Sequence, residues 1–130
     1  MIMKKNLKKS LTIGLAIIMT LSFSMMAFAD DGSAPLGEGT MWYTIHVDGT
    51  SAYAGISTNI TSDFSIDGTA YYYDVYGNAH MTSLYGGADQ TTDYGVSVNR
   101  NSTEMYYAEA TFRASSNDGG YNAAFLNCTD

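Results

Sequence analysis

Residues 40–56 read Thr40-Met41-Trp42-Tyr43-Thr44-Ile45-His46-Val47-Asp48-Gly49-Thr50-Ser51-Ala52-Tyr53-Ala54-Gly55-Ile56. Two alternating runs flank an Asp-Gly pair. Met41, Tyr43, Ile45 and Val47 fall on one side of an extended chain, and Trp42, Thr44 and His46 on the other, because strand side chains alternate. Asp48-Gly49 tolerates the positive φ angles of the type I′ turn that joins twisted antiparallel strands. A two-residue loop there would set Val47 opposite Thr50, Ile45 opposite Ala52, Tyr43 opposite Ala54 and Met41 opposite Ile56. Both apolar sets then share a face, and a one-residue slip would part them. The stretch predicts a β-hairpin with one buried face, and it leaves Trp42 and Tyr53 on the other.

The same signals recur toward the C-terminus. Phe64 and Ile66 alternate with Asp63, Ser65 and Asp67, and Asp67-Gly68 reads as a turn into Thr69–Tyr76. Gly77-Asn78 suits a type II′ turn into Ala79–Tyr85. Gly86-Gly87 opens a polar loop through Asp93, followed by a short strand over Tyr94–Asn99. Thr103–Ala114 is the longest candidate strand, with Tyr106, Ala108, Ala110, Phe112 and Ala114 on one face. Asn117-Asp118-Gly119-Gly120 makes the last turn before Tyr121–Cys128. About eight short β-runs separated by turn signals predict an all-β fold, an antiparallel sandwich or small barrel, of which a small antiparallel β-sandwich over residues 40–130 is the preferred reading. Residues 30–39, which hold the single proline, read as a flexible lead-in.

Upstream, the chain changes character. Lys4, Lys5, Lys8 and Lys9 precede an apolar run from Leu11 to Phe28, and Ala27-Phe28-Ala29 stands before Asp30. That layout is a secretory signal peptide over residues 1–29, with Ala27 and Ala29 at the positions a signal peptidase inspects and Asp30 as the first mature residue. The run is about long enough for an uncleaved anchor, but Thr12, Thr20, Ser22 and Ser24 thin it and the Ala-x-Ala ending favours cleavage. The reading is a secreted, extracellular protein, and the lysine-rich leader suggests a Gram-positive bacterium.

Cleavage would leave Arg100 and Arg113 as the cationic side chains against thirteen acidic residues, a formal charge of −11. Such a surface repels nucleic acid and anionic headgroups, which are bound by cationic side chains that displace counterions. Nucleic acid and, after cleavage, membrane are therefore excluded as partners. An extracellular protein, a glycan or a cell-wall component fits better. Cys128 is the single cysteine, so no internal disulfide forms, and a partly buried or incidental thiol near the chain end is preferred to the alternative of a bridge between chains.

Catalytic chemistry finds little support. His46 and His80 lie in separate strands without metal-ligand spacing, and no nucleophile-elbow motif is present. Asp30-Asp31-Gly32 and Asp63/Asp67-Gly68 are oxygen-rich but do not match a calcium loop. The triplets starting at Asn59, Asn101 and Asn127 match the glycosylation pattern, as an Asn- and Thr-rich chain will. The sequence thus assigns no catalytic residue, metal or cofactor, and the protein reads as non-enzymatic.

The aromatics remain. Tyr71-Tyr72-Tyr73 and Tyr106-Tyr107 put rings on both faces of their strands. Such rings most often pack as cross-strand pairs over a sheet. The alternative is an exposed row for stacking on sugars or anchoring a protein interface, and it makes Trp42, Tyr53, Tyr72 and Tyr76 the candidate binding residues.

Some fragments resemble the lactococcin 972 family of secreted bacteriocins. They are Glu38-Gly39-Thr40 followed by Trp42, then Ser51-Ala52-Tyr53, then Ala108-Glu109-Ala110-Thr111 ahead of Tyr121 and Phe125. The resemblance implies a disulfide-free β-sandwich and an exported effector acting on the cell envelope.

Overall fold

The computed structural model describes residues 31–101 and 103–130. The expected leader and its expected cleavage site at Ala27, Ala29 and Asp30 lie outside the described residues. Six strands follow in order: β1 Asp31–Leu36, β2 Gly39–Val47, β3 Ser51–Tyr73, β4 Ala79–Asn99, β5 Glu104–Ser116 and β6 Tyr121–Thr129. All pairs are antiparallel. They make one hydrogen-bonded sheet in the order β1-β2-β3-β5-β6, with β4 also on β3.

One strand serves three partners because it is bent. Ser51–Ser57 of β3 lies between β2 and β4, whereas Ser62–Tyr73 lies between β5 and β4. The β3–β4 ladder breaks register between Ser57 and Phe64, and Gln90 on β4 takes a φ of 55°. A straight strand of β4's length would run about 70 Å. Instead, the Tyr94 hydroxyl and Val96 press against Gly86 of the same strand. The hairpin is folded in half, and the sheet nearly closes into a barrel. At the bend, Asn122 Nδ2 donates to Pro35 O (2.9 Å) and the Glu38 amide donates to Asp118 Oδ2 (2.8 Å), tying β1–β2 to β5–β6.

The all-β expectation therefore stands, with six strands where about eight were expected and one folded sheet in place of two separate ones. Two turn signals were glycines serving another need. Gly68 continues through β3 between Leu84 and Ala110, and a Cβ there would lie 2.8 Å from the Ala110 Cβ. A Cβ on Gly87 would lie 2.9 Å from the Phe64 carbonyl. Glycine inside a strand often marks such a close approach. The expected polar loop after Gly86 is β4 itself.

The opening hairpin keeps its faces but shifts its register. Val47 pairs with Ala52, Ile45 with Ala54, Tyr43 with Ile56 and Met41 with Thr58. The cause is the Asp48 carboxylate, whose Oδ1 accepts from the Thr50 and Ser51 amides and the Ser51 hydroxyl, each at 3.0 Å. Asp48 thus takes the first corner of the turn, where aspartate is favoured, and the loop is Gly49-Thr50. A two-residue displacement preserves parity, so Ile45, Ala52 and Ala54 remain on one buried face.

Residues 31–36 form a strand instead of a flexible lead-in. Gly37, at φ 59°, supplies the positive angle for a two-residue turn into β2, and Pro35 is tolerated because β1 is an outer strand. The next hairpin turns through Val75-Tyr76-Gly77, one residue longer than expected, with Gly77 at φ 83°. On β5, Tyr106 is the extra residue of a bulge between the Tyr71–Tyr107 and Tyr72–Met105 pairs. The bulge brings Met105 onto the buried face with Ala108, Ala110, Phe112 and Ala114, and leaves Tyr106 off it.

The core holds Leu36, Met41, Ile45, Ile66, Leu84, Met105 and Phe112 at full burial. Phe112 stacks on Tyr43 at 5.5 Å between ring centroids. Cys128 is buried beside this core.

Candidate functional site

The folded sheet has two outward faces. On the half built from β1, β2 and the facing halves of β3 and β4, the outward positions are Trp42, Thr44 and His46 on β2, then Tyr53, Gly55 and Ser57 on β3, then Asp93, Gly95 and Ser97 on β4. The first hairpin's alternation dictates this placement. Gly55 and Gly95 sit directly opposite one another.

Tyr53 fills the space that those two glycines leave. A Cβ on Gly55 would lie 2.8 Å from Tyr53 Cε2, and one on Gly95 would lie 2.8 Å from Cε1. Both ring edges are thus equally close to the backbone, so the ring lies flat across the pair with its hydroxyl over both. Gly55 is buried beneath it, while Tyr53 stays 42% exposed on its far side. Trp42, 44% exposed, stands on the same face two positions along the ladder from Gly55. Neither ring stacks on another aromatic among the described residues. The result is an aromatic platform edged by His46, Ser57, Ser97 and Asp93.

The opposite outward face uses its aromatics differently. Tyr73 stacks on Tyr106 at 4.7 Å and 18°, and Tyr71 meets Tyr107 at 5.5 Å. These are cross-strand pairs that cover the sheet, the commoner use of such rings. Burial and the neighbouring Glu109 carboxylate push the Tyr107 phenol up to about 12. Met81, Tyr85, Tyr121 and Phe125 are exposed on this side as well, and none of them was among the expected binding residues.

The four expected binding residues are therefore not assembled together. Trp42 and Tyr53 share the platform. Tyr76 sits in the β3–β4 turn, 86% exposed. Tyr72 points to the inner face at the open end of the sheet, stacked on His80 at 5.4 Å. What the sequence reading missed is the glycine pair beneath Tyr53. Its signal would have been two glycines on different strands that must oppose each other once the register is known.

His46 faces outward on the platform side, whereas His80 faces inward beside Tyr72. His80 Nε2 lies 2.8 Å from Asp74 Oδ2, and hydrogen bonds from Asn78 N–H and His80 hold the Asp74 carboxyl below the usual range. Asp63 serves the bend, accepting from the Gln90 amide and side chain at 2.9 Å. Asp67 lies within β3, away from any turn.

No protein-family model matches the chain, and no curated protein does. Among solved structures, Bacteroides uniformis beta-glucuronidase 2, covalently bound to cyclophellitol-6-carboxylate aziridine, is similar at a TM-score of 0.29 and 6% identity. The match covers 77% of this chain and 12% of that chain, so this chain spans about an eighth of the enzyme, and the likeness is too slight to transfer fold or activity.

Proposed function

We propose that this is a secreted, non-enzymatic binding protein whose Trp42/Tyr53 platform stacks on the apolar face of a sugar ring in an extracellular or cell-wall glycan. The supporting observation is Tyr53 held flat over Gly55 and Gly95 with one face open to solvent. A ring fixed in that pose loses little freedom on binding, and preorganisation of this kind raises affinity. Polar side chains around the rings can bond sugar hydroxyls, the usual division between apolar body and polar handle. An uncharged glycan also avoids the repulsion that a −11 surface imposes on anions.

The test is affinity electrophoresis in gels carrying neutral polysaccharides, with Trp42 fluorescence titrated by soluble fragments of any that retard the protein. Tyr53→Ala and Trp42→Ala should each weaken binding by about tenfold, equivalent to ~1.4 kcal/mol. Retention that is identical in the wild type and the double variant would overturn the proposal.

A further inference from the structure

The open end of the folded sheet gathers residues from opposite ends of β4. Because that strand doubles back, Arg100, just beyond its last residue, returns to its beginning. Arg100 Nη2 donates to Thr82 Oγ1 (3.2 Å), and its guanidinium carbon lies 5.8 Å from the Tyr72 ring centre. His80 stacks on the same tyrosine at 20° between planes. The Arg100 backbone is fixed on both sides: its amide donates to Thr50 O (2.7 Å), and its carbonyl accepts from the Thr103 hydroxyl.

This guanidinium has no acidic partner. Among the described residues neither Arg100 nor Arg113 is paired with a carboxylate, although acidic residues greatly outnumber arginines. Asp74, the acid bonded to His80, is committed to its own turn. Its Oδ1 accepts from the Tyr76 and Asn78 amides and its Oδ2 meets His80. What sets Arg100 apart from Arg113 is that its head is held in place. Here the aromatic floor and Thr82 hold it with most of its N–H donors unspent.

We infer that this cluster is a binding site for a small monoanionic carboxylate. Arg100 is the charged fork, Thr82 fixes its orientation, and Tyr72 with His80 forms the floor. Guanidinium and carboxylate match through two parallel hydrogen bonds. The protein's negative field penalises a ligand in proportion to its charge, which favours a carboxylate over a phosphate dianion. The site goes beyond the glycan platform and shares no residue with it.

The experiment is a proton–nitrogen NMR titration of the mature protein with sodium galacturonate, sodium acetate and galactose at matched ionic strength. At this end galacturonate should give saturable shifts of Tyr72, His80, Thr82 and Arg100, with affinity on the order of millimolar. Added salt should weaken it, as the charge is solvent-exposed. Acetate binding as well means that the carboxylate suffices, whereas galacturonate alone means that the sugar ring adds contacts; either supports the site. Galactose should shift nothing at this end. Arg100→Gln should lower affinity at least tenfold while preserving the remaining spectrum, and Trp42→Ala should leave it unchanged. Absent or unsaturable shifts, equal binding by Arg100→Gln, or equal response to galactose would overturn the inference and leave Arg100 as a cap on the core.

Discussion

The seat of Tyr53 can be tested without knowing any ligand, through Gly95→Ala in wild-type and Tyr53→Ala backgrounds. Gly95 is not at a positive φ, so alanine is allowed by the backbone. Replacing a strand glycine is ordinarily favourable by about 0.5–1 kcal/mol. In the wild type, however, the new Cβ would lie 2.8 Å from Tyr53 Cε1 and nearer still to the hydroxyl. The ring end is flexible, so it lifts and the backbone stays. With Tyr53 42% exposed, roughly 100 Å² of an aromatic side chain is covered. Losing about half of that cover costs ~1.2 kcal/mol at ~25 cal/mol per Å². Gly95→Ala should therefore be neutral to slightly destabilising in the wild type and stabilising in Tyr53→Ala, a coupling of about 1.2 kcal/mol. Urea midpoints of the four proteins measure it. Additivity within about 0.3–0.5 kcal/mol would refute the flat ring, and with it the basis of the proposed platform.

Two further outcomes follow from the buried phenol and from the bend. Burial pushes Tyr43 up to about 12 from its ordinary 10.0, so the unfolded chain loses this proton before the folded one does. Stability should be intact below pH 10 and fall between pH 10 and 12, by up to roughly 2–3 kcal/mol for a shift of this size. Urea unfolding across that range should show a shallower fall in Tyr43→Phe, with Tyr107 supplying part of the remainder. At the bend, Ser116 and the Glu38 amide hold the Asp118 carboxyl below the usual range. Protection of the Glu38 amide in hydrogen exchange should persist to a pH below ordinary carboxylate titration, and Asp118→Ala should abolish it; unchanged protection would show that the carboxylate does not tie the two hairpins.

The face assignments of β2 and early β3 were legible because alternation depends only on parity, which a register displaced by two residues preserves. The exact partners were not, since Asp48 moves the turn by accepting amide protons instead of adopting the turn's central angles. Asp67-Gly68 and Gly86-Gly87 misled for a related reason. A glycine required by a neighbouring strand and a glycine required by a turn look alike until the neighbours are known. Trp42 and Tyr53 could be placed outward from sequence, but Gly95 lies forty residues from its partner Gly55. Tyr72 and Arg100 meet only because β4 doubles back, and nothing local to either residue announces that.

The doubled-back strand also bears on how the molecule behaves in a crowd. Among the described residues β4 pairs with β3 alone, and a long unpaired margin of that kind is a template for adding further chains. The kink at Gln90 divides that margin into two short lengths pointing in different directions, neither a flat template. A substitution that straightened Gln90 would be expected to cost solubility before it cost folding.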